Sequence, residues 1–216
     1  MTPDDAGTTA PVSRALPRLF IAVPLGEPAR AEVEALVDDV RSRLRATRER
    51  SEQPNGRPTE VRWVRMDGLH LTLRFLGPTP AEQIGLIASA VDAAAADLGP
   101  FDVEISGGGA FPSAGKPRTL WLGIARGQDE LVALADAVSL RLEATGWPPE
   151  ARPFRGHLTL GRSDGRLDGR AAARLLTERA ARFRTRFRAD RLVLFESITG
   201  RGPARYASVH EAAFRG

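Results

Sequence analysis

One tetrapeptide pattern occurs twice in the chain, as His70-Leu71-Thr72-Leu73 and as His157-Leu158-Thr159-Leu160. The 216 residues include three histidines, and these copies take two of them. Along an extended strand the side chains alternate between faces. Histidine and threonine, two apart, then point one way and the two leucines point the other. Each copy predicts a strand with a dry leucine face on the core and a polar His/Thr face on a cleft.

The rest of the chain supplies the frame for these strands. Arg18 to Val23 predicts a buried strand stopped by Pro24. Val33, Leu36, Val37, Val40 and Leu44 recur at helical spacing, with acids early and arginines late. Residues 47–59, with Pro54, Asn55, Gly56 and Pro58, predict a mobile loop. Val61 to Val64 starts a strand, and Asp67-Gly68 turns it into the first His strand. Pro78 and Pro80 open a second helix carrying Ile84, Ile87, Ala88 and Val91, which stops at Gly99-Pro100. Phe101 to Ile105 alternates as a half-buried strand. Gly107-Gly108-Gly109 reads as a flexible turn, because a phosphate loop would need a Gly-Lys-Ser/Thr ending and a following helix.

Thr119 to Ile124 is another apolar strand. Asp129 caps a third helix with Leu131, Leu134, Val138 and Leu142 inward and Gly146 at its end. After the second His strand come a short helix around Arg170 to Ala180 and strands at Arg184–Arg188, Leu192–Phe195 and Tyr206–Phe214. The order predicts an α+β fold, with antiparallel sheets packed on helices. The repeated string suggests two lobes related by a pseudo-twofold, which would bring both His/Thr faces to a central groove.

Residues 1–17, rich in proline and small polar residues, read as a disordered leader without a signal-peptide core. Residues 18–216 read as a single domain. No apolar run approaches the roughly 20 residues of a membrane span, so no membrane partner is expected. The absence of cysteine removes disulfides and thiolate metal sites and fits a reducing, cytoplasmic setting. The net charge is +4, and Lys116 is the one lysine among the bases. Arginine presents a planar fork that suits phosphate, but composition alone is weak evidence for nucleic acid.

Two imidazoles in one cleft make an acid-base pair, since the unperturbed pKa of about 6.5 lets one be neutral and the other charged. One takes a proton from an attacking group and the other gives one to a leaving oxygen. Threonine hydroxyls beside them donate to a phosphoryl oxygen, and arginine neutralises the charge that builds there. This is equipment for displacement at phosphorus with no metal or other cofactor. Zinc is the chemical rival, but a third ligand is not evident and no His-x-x-x-His pair exists. The plain alternative is that both histidines are satisfied strand residues, as His210, which lacks the threonine, is read to be. Arg74, four past His70, falls on the His face of a regular strand. Arg162, five past His157, falls on the opposite face unless Gly161 supplies a bulge. Either arginine can instead be a solvated surface group.

At these residues the chain resembles the two-histidine (2H) phosphoesterases, and within them the bacterial RNA 2',3'-cyclic phosphodiesterases, also called 2'-5' RNA ligase-like proteins. The marks are Arg18-Leu19-Phe20-Ile21-Ala22, Val61-Arg62-Trp63-Val64, Leu69 to Gly77, Leu120-Trp121-Leu122-Gly123, Phe154-Arg155, His157 to Arg162 and Leu194-Phe195-Glu196-Ser197. The resemblance implies a bilobal fold and hydrolysis of a terminal RNA 2',3'-cyclic phosphate to a 2'-phosphate. It implies His70 as proton donor to the leaving 3' oxygen and His157 as the acceptor that activates water. Thr72 and Thr159 would hold the phosphate, and Arg162 matches the family's arginine after the second motif. The partners expected are RNA ends or small cyclic-phosphate nucleotides, bound by a monomer. Rival readings are 2'-5' ligation, another cyclic phosphodiesterase activity, or binding without turnover. The family often has proline before the second histidine; Gly156 there is expected to loosen the approach. Phe20, Phe111 and Phe154 are candidates to stack on a base, with core packing the alternative for each.

Overall fold

The computed structural model describes residues 16–49, 61–165, 167–200 and 202–215. Nine strands and four helices are found among them. Strand β1 (Arg18–Pro24) is followed by α1 (Ala29–Glu49), β2 (Arg62–Trp63), β3 (His70–Pro78) and α2 (Ile84–Ala96). Then come β4 (Phe101–Phe111), β5 (Thr119–Arg126), α3 (Gln128–Glu143), β6 (His157–Arg162) and α4 (Leu167–Ala180). The chain closes with β7 (Arg184–Ala189), β8 (Arg191–Ile198) and β9 (Arg205–Ala213).

The strands form two antiparallel sheets, in the orders β3-β1-β8-β9 and β2-β6-β5-β4-β7. Helices α2 and α3 cover the first sheet, and α1 and α4 cover the second. This is the expected α+β arrangement, with helices outside and the two His strands, β3 and β6, next to each other where the sheets meet. The sheets correspond: in each, a His strand pairs with a neighbour that carries apolar residues to the core. None of the helices is long and apolar enough to cross a membrane.

Apolar periodicity explains the packing. Val33, Leu36, Val37 and Val40 bury one stripe of α1, and Leu131, Leu134, Val138 and Leu142 do the same for α3. Fully burying one such side chain contributes about 1.5–3 kcal/mol. The solvent faces are laced by ions. Asp39 on α1 meets Arg43 of the same helix and Arg179 of α4, which holds its carboxyl below the usual range against the opposing effect of desolvation. Edge strand β7 alternates exposed arginines with buried Thr185, Phe187 and Ala189, and Arg186 and Arg188 face Glu104 and Asp102 on β4. Opposite charges across a ladder stabilise it, and charged side chains protect an edge from pairing with other chains.

Four local expectations change. Helix α1 runs on to Glu49, into the stretch expected to be loop; residues 50–60 lie outside the described residues, as do 1–15 of the expected leader. The Thr47 hydroxyl donates to a carbonyl of the preceding turn, and Arg48 reaches Asp168 on α4, so tertiary contact carries the helix past the apolar stripe. Strand β2 does not pair with β3 as a hairpin; it joins β6 in the other sheet. The first residue before α3 is Gly127 in the left-handed region, at φ 85°, with Asp129 inside the first turn. The glycine run is no turn: β4 continues through it, with a bulge at Gly107, at φ 67°. A Cβ on Gly108 would stand 2.9 Å from the Ala180 methyl, and one on Gly109 would stand 2.8 Å from the Trp121 ring. Glycine is needed there because α4 and an indole approach the backbone closely.

Candidate active site

The two His strands share one irregularity. In β3, Ala22 pairs with Thr72 and Ile21 with Arg74, so Leu73 is an extra residue. In β6, Trp121 pairs with Thr159 and Leu120 with Gly161, so Leu160 is the extra residue. Each strand thus bulges at the third position after its histidine, and the alternation shifts by one. The fourth position, Arg74 or Gly161, turns to the core side. The fifth, Phe75 or Arg162, returns to the His/Thr face.

This shift corrects the expectation for Arg74. It is only 5% exposed, and it turns away from the His/Thr face. It donates to the Pro148 carbonyl, meets Ser139 Oγ at 3.4 Å and pairs with Glu150 at 3.4 Å. Arg74 therefore ties the segment before β6 to β3. Arg162, by contrast, is brought to the His face by the bulge that Gly161 permits. A Cβ on Gly161 would lie 3.1 Å from Val61 and 3.4 Å from the Trp63 ring, so β2 can pack against it.

Both imidazoles are held alike. His70 Nδ1 lies 2.7 Å from the Gly68 carbonyl, and His157 Nδ1 lies 2.8 Å from the Arg155 carbonyl. A carbonyl oxygen only accepts, so Nδ1 carries the proton in each ring and Nε2 is the nitrogen left to act. The surroundings of the rings differ. Phe20 packs on His70 at 4.7 Å between centroids, and Tyr206 meets it edge-on at 4.9 Å. Burial among these rings pushes the His70 pKa down, and the bond to Gly68 opposes this only partly. The His157 ring is half-exposed, with Phe111 edge-on at 5.3 Å and Phe111 itself stacked on Trp121.

A cavity of about 380 Å³ lies between the strands. His70 and Thr72 line it from β3, and Thr159 and Arg162 line it from β6. His157 is not on this wall. It sits two residues before Thr159 on the same face, about 7 Å along the strand. Phe20 lines the cavity too, but at 2% exposure it is a floor beneath His70 rather than an open surface. Phe154 packs against the core. His210, the third histidine, pairs with Asp92 at 2.7 Å and joins β9 to α2. The space beside Gly156 is occupied by Gln128 and Ile124, so the approach to His157 is packed rather than loosened. Among the described residues, no group of three His, Asp or Glu side chains is placed to hold a metal ion.

Several cavity residues were missed in the sequence, Phe75, Tyr206 and Arg18 among them. Phe75 is 66% exposed at the cavity; the shifted register, invisible in the string, puts it there. Tyr206, the chain's one tyrosine, lies over Gly68, where a Cβ would come within 2.8 Å of its ring. Burial raises its pKa although nearby Arg162 opposes this, so it stays a neutral phenol that can donate. Arg18, at the start of β1, also faces the cavity. Among the described residues the wall thus combines neutral donors, two arginines and no carboxylate, which suits an anion.

Known proteins of this kind have the same frame. Over 145 residues the chain is 30% identical to the RNA 2',3'-cyclic phosphodiesterase of Archaeoglobus fulgidus, covering 67% of this chain and 72% of that one. Over 161 residues it is 28% identical to the RNA 2',3'-cyclic phosphodiesterase of Methanothermobacter thermautotrophicus, covering 74% and 79%. The crystal structure of TT0787 of Thermus thermophilus superposes with a TM-score of 0.67 at 25% identity, covering 92% of this chain and 98% of that one. Residues 28–201 match the family described as the 2'-5' RNA ligase superfamily. With most of its length inside that match and both His-x-Thr strands at one cleft, the chain belongs to the 2'-5' RNA ligase superfamily, that of the two-histidine phosphoesterases.

Proposed function

We propose that this protein hydrolyses the terminal 2',3'-cyclic phosphate of RNA to a 2'-phosphomonoester, without a metal. The observation that carries the reading is the matched pair of imidazoles, each with Nδ1 tied to a backbone carbonyl and each two residues before a threonine that lines the cleft. Relatives named RNA 2',3'-cyclic phosphodiesterase support it. Nε2 of His157 takes a proton from water as the water oxygen bonds to phosphorus. The bond from phosphorus to O3' breaks, and His70 gives its Nε2 proton to O3'. Thr72, Thr159 and Arg162 meet the phosphoryl oxygens as charge builds on them. Phe75 offers an exposed ring on which the terminal base stacks.

His70 must be protonated for this role, yet burial favours its neutral form in the free protein. An anion in the cleft reverses that preference, since an opposite charge nearby favours imidazolium. Substrate binding therefore arms the acid. The direct test is a short RNA with a 2',3'-cyclic end. A 2'-phosphate product is expected. A 2'-5' joined strand would instead identify a ligase, and tight binding without product, unaltered in His70→Ala, would identify a binding module.

A further inference from the structure

Among the described residues the cavity wall carries Arg18 and Arg162 and no carboxylate. A third arginine adjoins them. Arg62 on β2 is the direct cross-strand partner of Arg162 on β6, and residues paired in this way present their side chains on one face. The neighbours agree. Val61 and Trp63 lie against the core side of Gly161, while Val64 lines the cavity. Arg62 is therefore on the cleft side, exposed, one strand closer to the sheet edge and about 5 Å from Arg162.

Like charges directly opposite on a ladder repel and weaken it. Elsewhere in this sheet such positions are balanced, as Arg186 is by Glu104. Among the described residues, the side chain of neither Arg62 nor Arg162 has an ion pair or hydrogen bond. A terminal cyclic phosphate is a diester with one negative charge, and Arg162 with the two threonine hydroxyls is enough to meet it. Arg62 is surplus to that anion, yet it stands beside it with its planar fork uncommitted.

We propose that Arg62, next to Arg162, forms a second phosphate subsite for the phosphodiester that joins the terminal nucleotide to its 5' neighbour. The cleft would then take RNA ends in preference to cyclic mononucleotides. This rests on the reading of the cleft as a cyclic-phosphate site. Phosphate contacts by arginine position a nucleic acid without reading its sequence, so the subsite is indifferent to the base.

The test uses two RNA oligomers with 2',3'-cyclic ends, identical except that one carries an uncharged methylphosphonate at the last internal linkage. The protein should prefer the phosphodiester by about tenfold in KM, the worth of a charge-assisted hydrogen bond. Arg62→Ala should erase that ratio, Arg62→Lys should restore part of it, and Arg62→Ala should flatten the dependence of log KM on log salt by about 0.7. A ratio unchanged in Arg62→Ala overturns the subsite, even if hydrolysis proceeds. Fluorescence anisotropy of the same two oligomers ending in a 2'-phosphate reads the ratio in Kd without turnover. A protein that hydrolyses neither oligomer overturns the hydrolase reading, and the anisotropy ratio alone then upholds or overturns the subsite.

Discussion

At the scale of single residues, His70 and His157 carry the same motif in unlike surroundings. Replacing either by alanine should lower kcat/KM by on the order of 10²-fold or more, the usual worth of a positioned proton donor or acceptor; a variant with near-full rate would remove that residue from the mechanism. The sign of the His70 shift gives a second expectation. Its folded pKa is depressed, below the roughly 6.5 of the unfolded ring. Between those two values the unfolded chain binds more protons, so stability rises with pH through that window and levels off above about 6.5. In NMR titrations His70 should titrate below about 6.5 in the free protein and move upward when a cyclic nucleotide binds. The alkaline limb of kcat should correspondingly lie at higher pH than that of kcat/KM. A His70 pKa unmoved by ligand would contradict the arming step.

At the scale of elements, the paired bulges decide what each motif presents. The His-x-Thr alternation was readable from the sequence, as was the possibility that Gly161 re-aims Arg162. The bulge at Leu73 was not readable, because Leu73-Arg74-Phe75-Leu76 contains no glycine or proline to mark it. Strict alternation therefore put Arg74 in the cleft and left Phe75 out. Arg74→Ala should destabilise the protein by about 2 kcal/mol, losing a buried hydrogen-bonding group and its stem packing. For a chain of this size that is about 4–8 °C in Tm by calorimetry. A comparable fall in kcat with no loss of Tm would return Arg74 to the site. Phe75→Ala should raise KM for RNA ends several-fold, the stacking of a base being worth about 1–3 kcal/mol. The glycine run misread as a turn makes the same point: what demands glycine is the approach of Ala180 and Trp121, which are distant in sequence.

At the scale of the whole molecule, two antiparallel sheets bring β3 and β6 together across a groove that neither sheet encloses alone. The proposed chemistry needs only imidazole, hydroxyl and guanidinium groups. Full activity should accordingly persist after exhaustive dialysis against a chelator; activity lost in EDTA and restored by zinc would refute the metal-free reaction. The same topology places β2 outside the hairpin that its sequence position suggests. It crosses to β6, and only that crossing sets Arg62 beside Arg162.

Local patterns settled much in advance. Apolar periodicity located the helices and most strands, and the doubled His-x-Thr string pointed to His70, Thr72 and Thr159, which line the cleft, because both signals are written in short windows of side-chain chemistry. Tertiary structure decided the register of β3, the partner of β2, the burial of Arg74, and the enclosure of His70 by Phe20 and Tyr206. Each of these depends on contacts between segments far apart in the chain. Their energies are set by which backbones can approach and which rings can pack, and that is fixed only once the two sheets have met.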